Sequence, residues 1–270
     1  MESRRASYLL LVLAAIAAMT TCGVILTMTG GITMFGPGTG PASDDAVHAA
    51  RRERMVRALA ASERGLEPHV LDAMERTPRH LFVPEHHRHV AYRDTPLPLG
   101  SGQTVSAPGV VARMTQLLNV SVDDRVLEVG TGSGYQAAVL AQVVQHVYTI
   151  EILPELAETA AARLAEIGYS NVTVRSGDGY LGWPEVAPFD GIIVTCAPTD
   201  VPEPLCAQLA EGGRMVIPLG PQSAVQWLTV LEKRDGALVE TRSVAVLFVP
   251  MTGIAGRSAK DGGPTVDDPA

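Results

Sequence analysis

A chain of 270 residues is long enough for one sizeable α/β domain and a smaller attachment. Its 29 acidic against 21 basic residues give a net charge of −8, which leaves no basic face for a phosphate backbone and argues against a nucleic-acid partner. The three cysteines, Cys22, Cys196 and Cys206, form no C-x-x-C pair and are odd in number, so they read as free thiols rather than a disulfide framework.

In chain order, Arg4 and Arg5 precede an uncharged apolar run over residues 8–28. That run is long enough to cross a bilayer as a helix, with the arginines held inside, and it makes membrane contact through residues 8–28 an open reading. A cleaved leader ending near Ala17, a lipoprotein-type site before Cys22 and translation from a later methionine, Met34 or Met55, compete with it. Residues 29–45, rich in Gly, Pro, Ser and Thr, read as a flexible linker. Residues 46–61 have helical composition. Pro68 opens a second helical stretch over 70–76, and Pro78 closes it. Residues 78–109 carry many prolines and glycines without a period and read as irregular structure over the mouth of a site. His80, His86, His87 and His89 lie within them as a solvated surface cluster. No cysteine accompanies these histidines, and Arg79, Arg88 and Arg93 would repel a cation, so no metal is expected. Helical spacing resumes over 110–118.

The α/β core follows. Arg125-Val126-Leu127-Glu128-Val129 has strand character and meets three alternating glycines, Gly130, Gly132 and Gly134, before an alanine-rich helical stretch opens at Tyr135. Strand, glycine turn and helix is how a βαβ unit sets a ligand on a helix N-terminus, with the glycines admitting close backbone approach. A dinucleotide fingerprint would be G-x-G-x-x-G. Here the third glycine comes one residue early, and Glu128 stands inside the strand. The pattern E-x-G-x-G-x-G suits S-adenosylmethionine: its ammonium and sulfonium welcome a carboxylate, and there is no phosphate to cradle. Gly130, Thr131, Gly132, Ser133 and Gly134 are the expected cofactor loop, with Glu128 beneath it. A second strand over 147–150 ends on Glu151, about 20 positions past the first glycine and placed to accept both ribose hydroxyls. A third, over 171–174, leads to Gly177-Asp178-Gly179, where Asp178 can accept from the adenine amino group and Gly179 lies beside it. Strands are expected at 189–194 and 212–218, then a final antiparallel pair over 227–232 and 244–249 around a turn at Asp235-Gly236. The polar tail, 254–270, reads as disordered. The expected fold is therefore α/β: a Rossmann-like class I methyltransferase sheet, mostly parallel with an antiparallel C-terminal pair. Its cofactor core covers 124–253, and a helical and irregular cap covers 46–123.

Residues 91–118, Ala-Tyr-Arg-Asp-Thr-Pro-Leu-Pro-Leu-Gly-Ser-Gly-Gln-Thr-Val-Ser-Ala-Pro followed by Gly109 and the helix, closely resemble the segment before the cofactor loop in protein-L-isoaspartate O-methyltransferases. Residues 126–140 resemble that family's cofactor loop. Gly177-Asp178-Gly179-Tyr180, Ala187-Pro188-Phe189-Asp190 and Phe248-Val249-Pro250-Met251 resemble its later stretches. The resemblance runs from about residue 52 to 253. Gly109 stands where the family often has histidine or tyrosine, and Leu247 where bacterial members often have arginine.

The resemblance implies methyl transfer from S-adenosylmethionine to the free carboxylate of L-isoaspartyl residues in damaged proteins, as a monomer in the cytoplasm; export or anchoring through residues 8–28 is the competing location. Ser106 matches the family's active-site serine and is expected to orient the substrate carboxylate; it also reads as a helix N-cap. Thr104 and Val105 are expected to line the same wall and present backbone groups to an extended peptide, and Thr252 to close the cofactor or peptide site. A carboxylate with a pKa of about 4 is already ionised at neutral pH, so no general base is required. Two rival readings are a class I methyltransferase acting on a small molecule or RNA, and a non-catalytic binding module on the same fold.

Overall fold

The computed structural model describes residues 41–62, 65–221 and 225–255. The apolar run at 8–28, the linker up to residue 40 and the tail from 256 lie outside them. Among the described residues no helix is long and apolar enough to cross a membrane. The chain divides between Ala49 and Ala50, and helix α1 (Pro41–Ser62) runs across the division. Because α1 begins at Pro41, residues 41–45 are helical and not part of a linker. The described residues from Ala50 onward form one compact unit that holds the expected core and the expected cap from residue 50.

Within that unit, α2 (Pro68–Arg76) has Pro68 in its first turn, where the missing N–H costs nothing. Residues 78–109 are more ordered than their composition suggests. Two 3₁₀ turns, Arg79–Phe82 and Glu85–Val90, lead to a hairpin of β1 (Leu97–Gly100) and β2 (Gln103–Val105). Ser101 and Gly102, at φ 50° and 72°, make its turn. The first 3₁₀ turn rolls Arg79, His80 and Phe82 inward, so His80 is buried rather than a member of a surface cluster, and Arg79 is buried beside it. His80 Nδ1 lies 2.7 Å from the Tyr92 hydroxyl. His86 and His89 are exposed, and no group of side chains able to hold a metal ion occurs among the described residues.

Helix α3 (Pro108–Leu118) then feeds the main sheet: β3 (Arg125–Val129), α4 (Tyr135–Leu140), β4 (His146–Glu151), α5 (Pro154–Ile167), β5 (Val172–Ser176), β6 (Phe189–Val194), α6 (Glu203–Gln208), β7 (Leu209–Leu219), β8 (Gln226–Arg234) and β9 (Ala237–Val246). The seven strands lie in the order β5-β4-β3-β6-β7-β8-β9. The first five are parallel; β8 and β9 are antiparallel. This is the expected mostly parallel sheet with an antiparallel C-terminal pair.

The apolar run of β3 is buried on both faces, as a central parallel strand requires. Val126 and Ile193 enter the core on one side of the sheet; Leu127, Val129, Ile192 and Val194 enter the other. The chain leaves β3 toward β4 and returns on its other side at β6. That reversal of strand order opens a crevice beyond the carboxyl end of β3.

The last pair departs from expectation. Asp235 and Gly236, at φ 51° and 76°, form a tight turn, and pairing starts at once with Arg234 opposite Ala237. Strand β9 therefore begins well before Val244. It ends at Val246, and residues 247–249 have left the sheet.

Candidate active site

A cavity of about 280 Å³ lies at the switch point. One wall is the end of β3 with the loop to Ser133, the end of β4, Asp178-Gly179 after β5 and Thr195-Cys196 after β6. The lining is completed by residues 103–107, the first turn of α3 and the chain leaving β9 from Ala245 to Thr252, which is bonded to Ala197 beyond β6 through Val249 O and the Met251 N–H. Glu128, Gly130, Thr131, Gly132, Ser133, Glu151, Asp178, Gly179, Thr104, Val105, Ser106 and Thr252 all line it.

Gly134 does not. It is the N-cap of α4 at φ 86°, and a Cβ there would stand 3.2 Å from Leu164. The third glycine lets α4 pack closely on α5. Gly130 serves the loop itself. At φ 99° it donates to Ile150 O at 2.8 Å, and a Cβ would run into Thr195 Oγ1.

The carboxylates differ in their surroundings. Glu151 takes the Gly132 N–H on Oε2 at 2.8 Å and the Leu153 N–H on Oε1 at 3.1 Å. Each oxygen keeps a second lone pair free to accept, and Glu151 lines the cavity. Asp178 accepts from Tyr180 N at 3.0 Å and, through Oδ2, from Ile254 N at 2.9 Å, which ties the segment after Thr252 to the same wall. Glu128 is fully buried. Its Oε2 takes the Thr149 hydroxyl at 2.6 Å, Thr149 Oγ1 lies 2.7 Å from Thr131 Oγ1, and its Oε1 has no partner. Burial pushes the Glu128 carboxyl up to about 8; the Thr149 hydroxyl works against this and the Glu151 charge adds to it. Cys196 is likewise pushed up to about 12 by burial, with Glu151 and Asp178 adding, so it stays an inert thiol.

Ser106 closes β2. Helix α3 is capped at Ala107 with Pro108 in its first turn, so the serine is not the cap that its position suggested. β2 is bonded on one edge, to β1, in a two-stranded sheet. Thr104 and Thr252 are exposed at the rim and Val105 is buried.

Three side chains that shape the site escaped the sequence reading. Thr149 pairs opposite Glu128 across β3 and β4, a register no single strand reveals. Thr195 donates to Val129 O at 3.0 Å and Gly130 O at 2.7 Å, pinning the loop. Arg79 donates to Ser106 O at 2.9 Å.

These features suit S-adenosylmethionine. Three carboxylates, Glu128, Glu151 and Asp178, line the cavity, and Glu128 Oε1 is buried without a partner. No Lys, Arg or His lines the cavity among the described residues, as would suit a phosphate.

Residues 50–256 match the model of the family described as protein-L-isoaspartate(D-aspartate) O-methyltransferase. Protein-L-isoaspartate O-methyltransferase 2 of Syntrophobacter fumaroxidans is 52% identical over 232 residues, covering 82% of this chain and 94% of its own. Protein-L-isoaspartate O-methyltransferase 1 of Nitrosospira multiformis is 53% identical over 211 residues, covering 77% of this chain and 89% of its own. A solved protein-L-isoaspartate O-methyltransferase superposes with a TM-score of 0.70 at 30% identity, over 77% of this chain and 69% of that one. A putative Plasmodium falciparum enzyme of the same name, solved with S-adenosyl-L-homocysteine, shares the fold at a TM-score of 0.64 and 24% identity, over 76% of this chain and 98% of that one. Matched over most of its length by the family and at about half identity by these relatives, the chain belongs to the protein-L-isoaspartate(D-aspartate) O-methyltransferase family.

Proposed function

We infer that this chain transfers the methyl group of S-adenosylmethionine to the free carboxylate of L-isoaspartyl residues in damaged proteins, supporting their repair. The observation that carries the reading is one cavity lined by the glycine loop, its carboxylates and Ser106, in a chain of this family.

When bound, S-adenosylmethionine supplies a methyl group on a sulfonium. In this reading Glu151 holds the ribose hydroxyls, Asp178 faces the adenine amino group, and Glu128 lies toward the methionine end. Ser106 donates its hydroxyl to the substrate carboxylate and points one oxygen in line with the methyl carbon, while Thr104, Val105 and Thr252 border the peptide. The oxygen is already anionic, so the site needs orientation and not a base. A cation and an anion neutralise each other as the bond forms, so a site with buried Val105, Thr131 and Tyr135 at its walls, shielded from water, favours transfer. The reading places the catalytic core in the cytoplasm, where the methyl donor is made, as a monomer.

Incubation with labelled S-adenosylmethionine and a matched pair of peptides, isoaspartyl and aspartyl, tests the function. Methyl ester should appear on the isoaspartyl peptide alone. Labelling of neither peptide, or of both equally, would remove the assignment.

Glu151→Ala tests the cofactor side. Loss of hydrogen bonds to a charged group costs roughly 1.5–3 kcal/mol, so the affinity for S-adenosylhomocysteine should fall about tenfold or more. Calorimetry on the folded variant decides it, and unchanged affinity would exclude the ribose role.

A further inference from the structure

The proposed chemistry sets a physical problem. The group to be methylated is an anion, yet the cavity carries Glu128, Glu151 and Asp178 and, among the described residues, no basic side chain. A cation does lie directly behind the Ser106 wall. Arg79 is completely buried. Its Nη1 donates to Ala91 O. Its Nη2 donates to Thr95 O at 3.2 Å and Ser106 O at 2.9 Å, with Val105 O at 3.5 Å. Its Nε is buried without an acceptor. The guanidinium also lies over the ring of Tyr135, 5.5 Å from the centroid, and Tyr135 opens α4 directly after the glycine loop.

Burying a cation with no paired carboxylate costs several kcal/mol, and an apolar side chain would fill the space more cheaply. Arg79 forms no ion pair among the described residues. Asp94, the acidic group that faces it, accepts instead from the Gly109 N–H at 2.7 Å. What the guanidinium does provide is a rigid, planar fork reaching carbonyls on both sides of the β1–β2 hairpin while resting on the first residue after the cofactor loop. Lysine, a single point charge, could not span them. The bond to Ser106 O draws electron density from the peptide that joins Ser106 to Ala107. It thereby gives positive potential to the wall where an anion must sit.

We propose that Arg79 is a positioning residue for methyl transfer: it fixes Ser106 against the cofactor loop and makes the substrate-facing wall receptive to the isoaspartyl carboxylate. The proposal rests on the functional reading above and on the orienting role of Ser106.

The test compares Arg79→Lys and Arg79→Met with the unsubstituted protein by thermal unfolding, by calorimetry with S-adenosylhomocysteine, and by steady-state kinetics on an isoaspartyl peptide. A small misplacement of a reacting group costs up to about 100-fold. Arg79→Lys keeps the charge but loses the fork, and should lose about tenfold in kcat/KM with both KM and kcat affected. Arg79→Met should lose about 30-fold or more, on the same reasoning. Affinity for S-adenosylhomocysteine should stay within about twofold in both, because Ile150 and Glu151 hold the loop. Full kcat/KM in a folded Arg79→Lys, or cofactor affinity falling in step with kcat/KM, would overturn the proposal. Equal losses in the two variants would overturn its electrostatic half. Failure of both to fold would assign Arg79 to the fold alone and overturn it too. If the unsubstituted protein leaves the isoaspartyl peptide unmethylated, the functional reading itself has failed, and that result is in hand before any variant is compared.

Discussion

Glu128→Gln is expected to stabilise the ligand-free protein strongly at alkaline pH and hardly at all in acid. The folded carboxyl is pushed up to about 8 from an ordinary value of 4.5, chiefly by burial. Below 4.5 both the folded and the unfolded chain hold this proton, and the group's favourable contribution to the fold is fully present. Between 4.5 and 8 the folded protein keeps a proton that the unfolded chain has released, so stability falls as pH rises. Above 8 the fold must carry a buried charge with an unpartnered oxygen and Glu151 nearby. A shift of this size corresponds to something on the order of 5 kcal/mol. Glutamine resembles the protonated acid. Its carbonyl can take the Thr149 hydroxyl, and it removes the pH dependence along with the charge. Urea unfolding at pH 5 and pH 9 in the absence of cofactor measures this. A stability difference between variant and parent that is the same at both pH values would show that Glu128 titrates normally. The same variant should bind S-adenosylhomocysteine more weakly, because a neutral amide cannot ionise to meet the ligand's ammonium.

Which features could be read from the sequence follows from the range of the forces that set them. The β3–loop–α4 unit is local: an apolar run, glycines able to take positive φ and a helix start lie within sixteen residues, 125–140. Glu151 and Asp178 could be found because strand ends are marked by the apolar runs before them. The hairpin at 97–105 was hidden because Pro98 sits inside a four-residue strand and argues against it. Strand β9 was hidden because an edge strand carries polar residues such as Glu240 and Thr241 and shows no apolar pattern. His80 looked solvated and the burial of Arg79 left no trace, because composition cannot distinguish a guanidinium in water from one satisfied by buried carbonyls. That distinction is made by residues 12 to 27 positions away. The packing duty of Gly134 was hidden for the same reason: its neighbour, Leu164, lies on the next helix.

Ser106→Ala is expected to lower turnover of an isoaspartyl peptide about 100-fold while leaving cofactor affinity nearly intact. A hydrogen bond to a charged group is worth roughly 1.5–3 kcal/mol, which as a barrier is about 10- to 150-fold in rate. The upper part of that range applies because the bond also fixes which carboxylate oxygen faces the methyl carbon. The fold should not notice the change. The Ser106 hydroxyl makes no hydrogen bond among the described residues, its contact with Arg79 is through the backbone carbonyl, and α3 is capped by Ala107. Cofactor affinity should hold because the glycine loop hangs on Ile150, Glu151 and Thr195, none of which touches the serine's hydroxyl. Nucleophilic attack by Ser106 would require a base beside it, and the cavity lining offers no histidine or lysine among the described residues. Kinetics therefore separate the roles. An orienting hydroxyl predicts loss in kcat, some rise in peptide KM and no covalent intermediate. Full activity in the alanine variant, or a methyl or acyl adduct trapped on Ser106 in the parent, would refute the assignment. An equal loss of cofactor affinity would move Ser106 from the substrate wall to the cofactor wall.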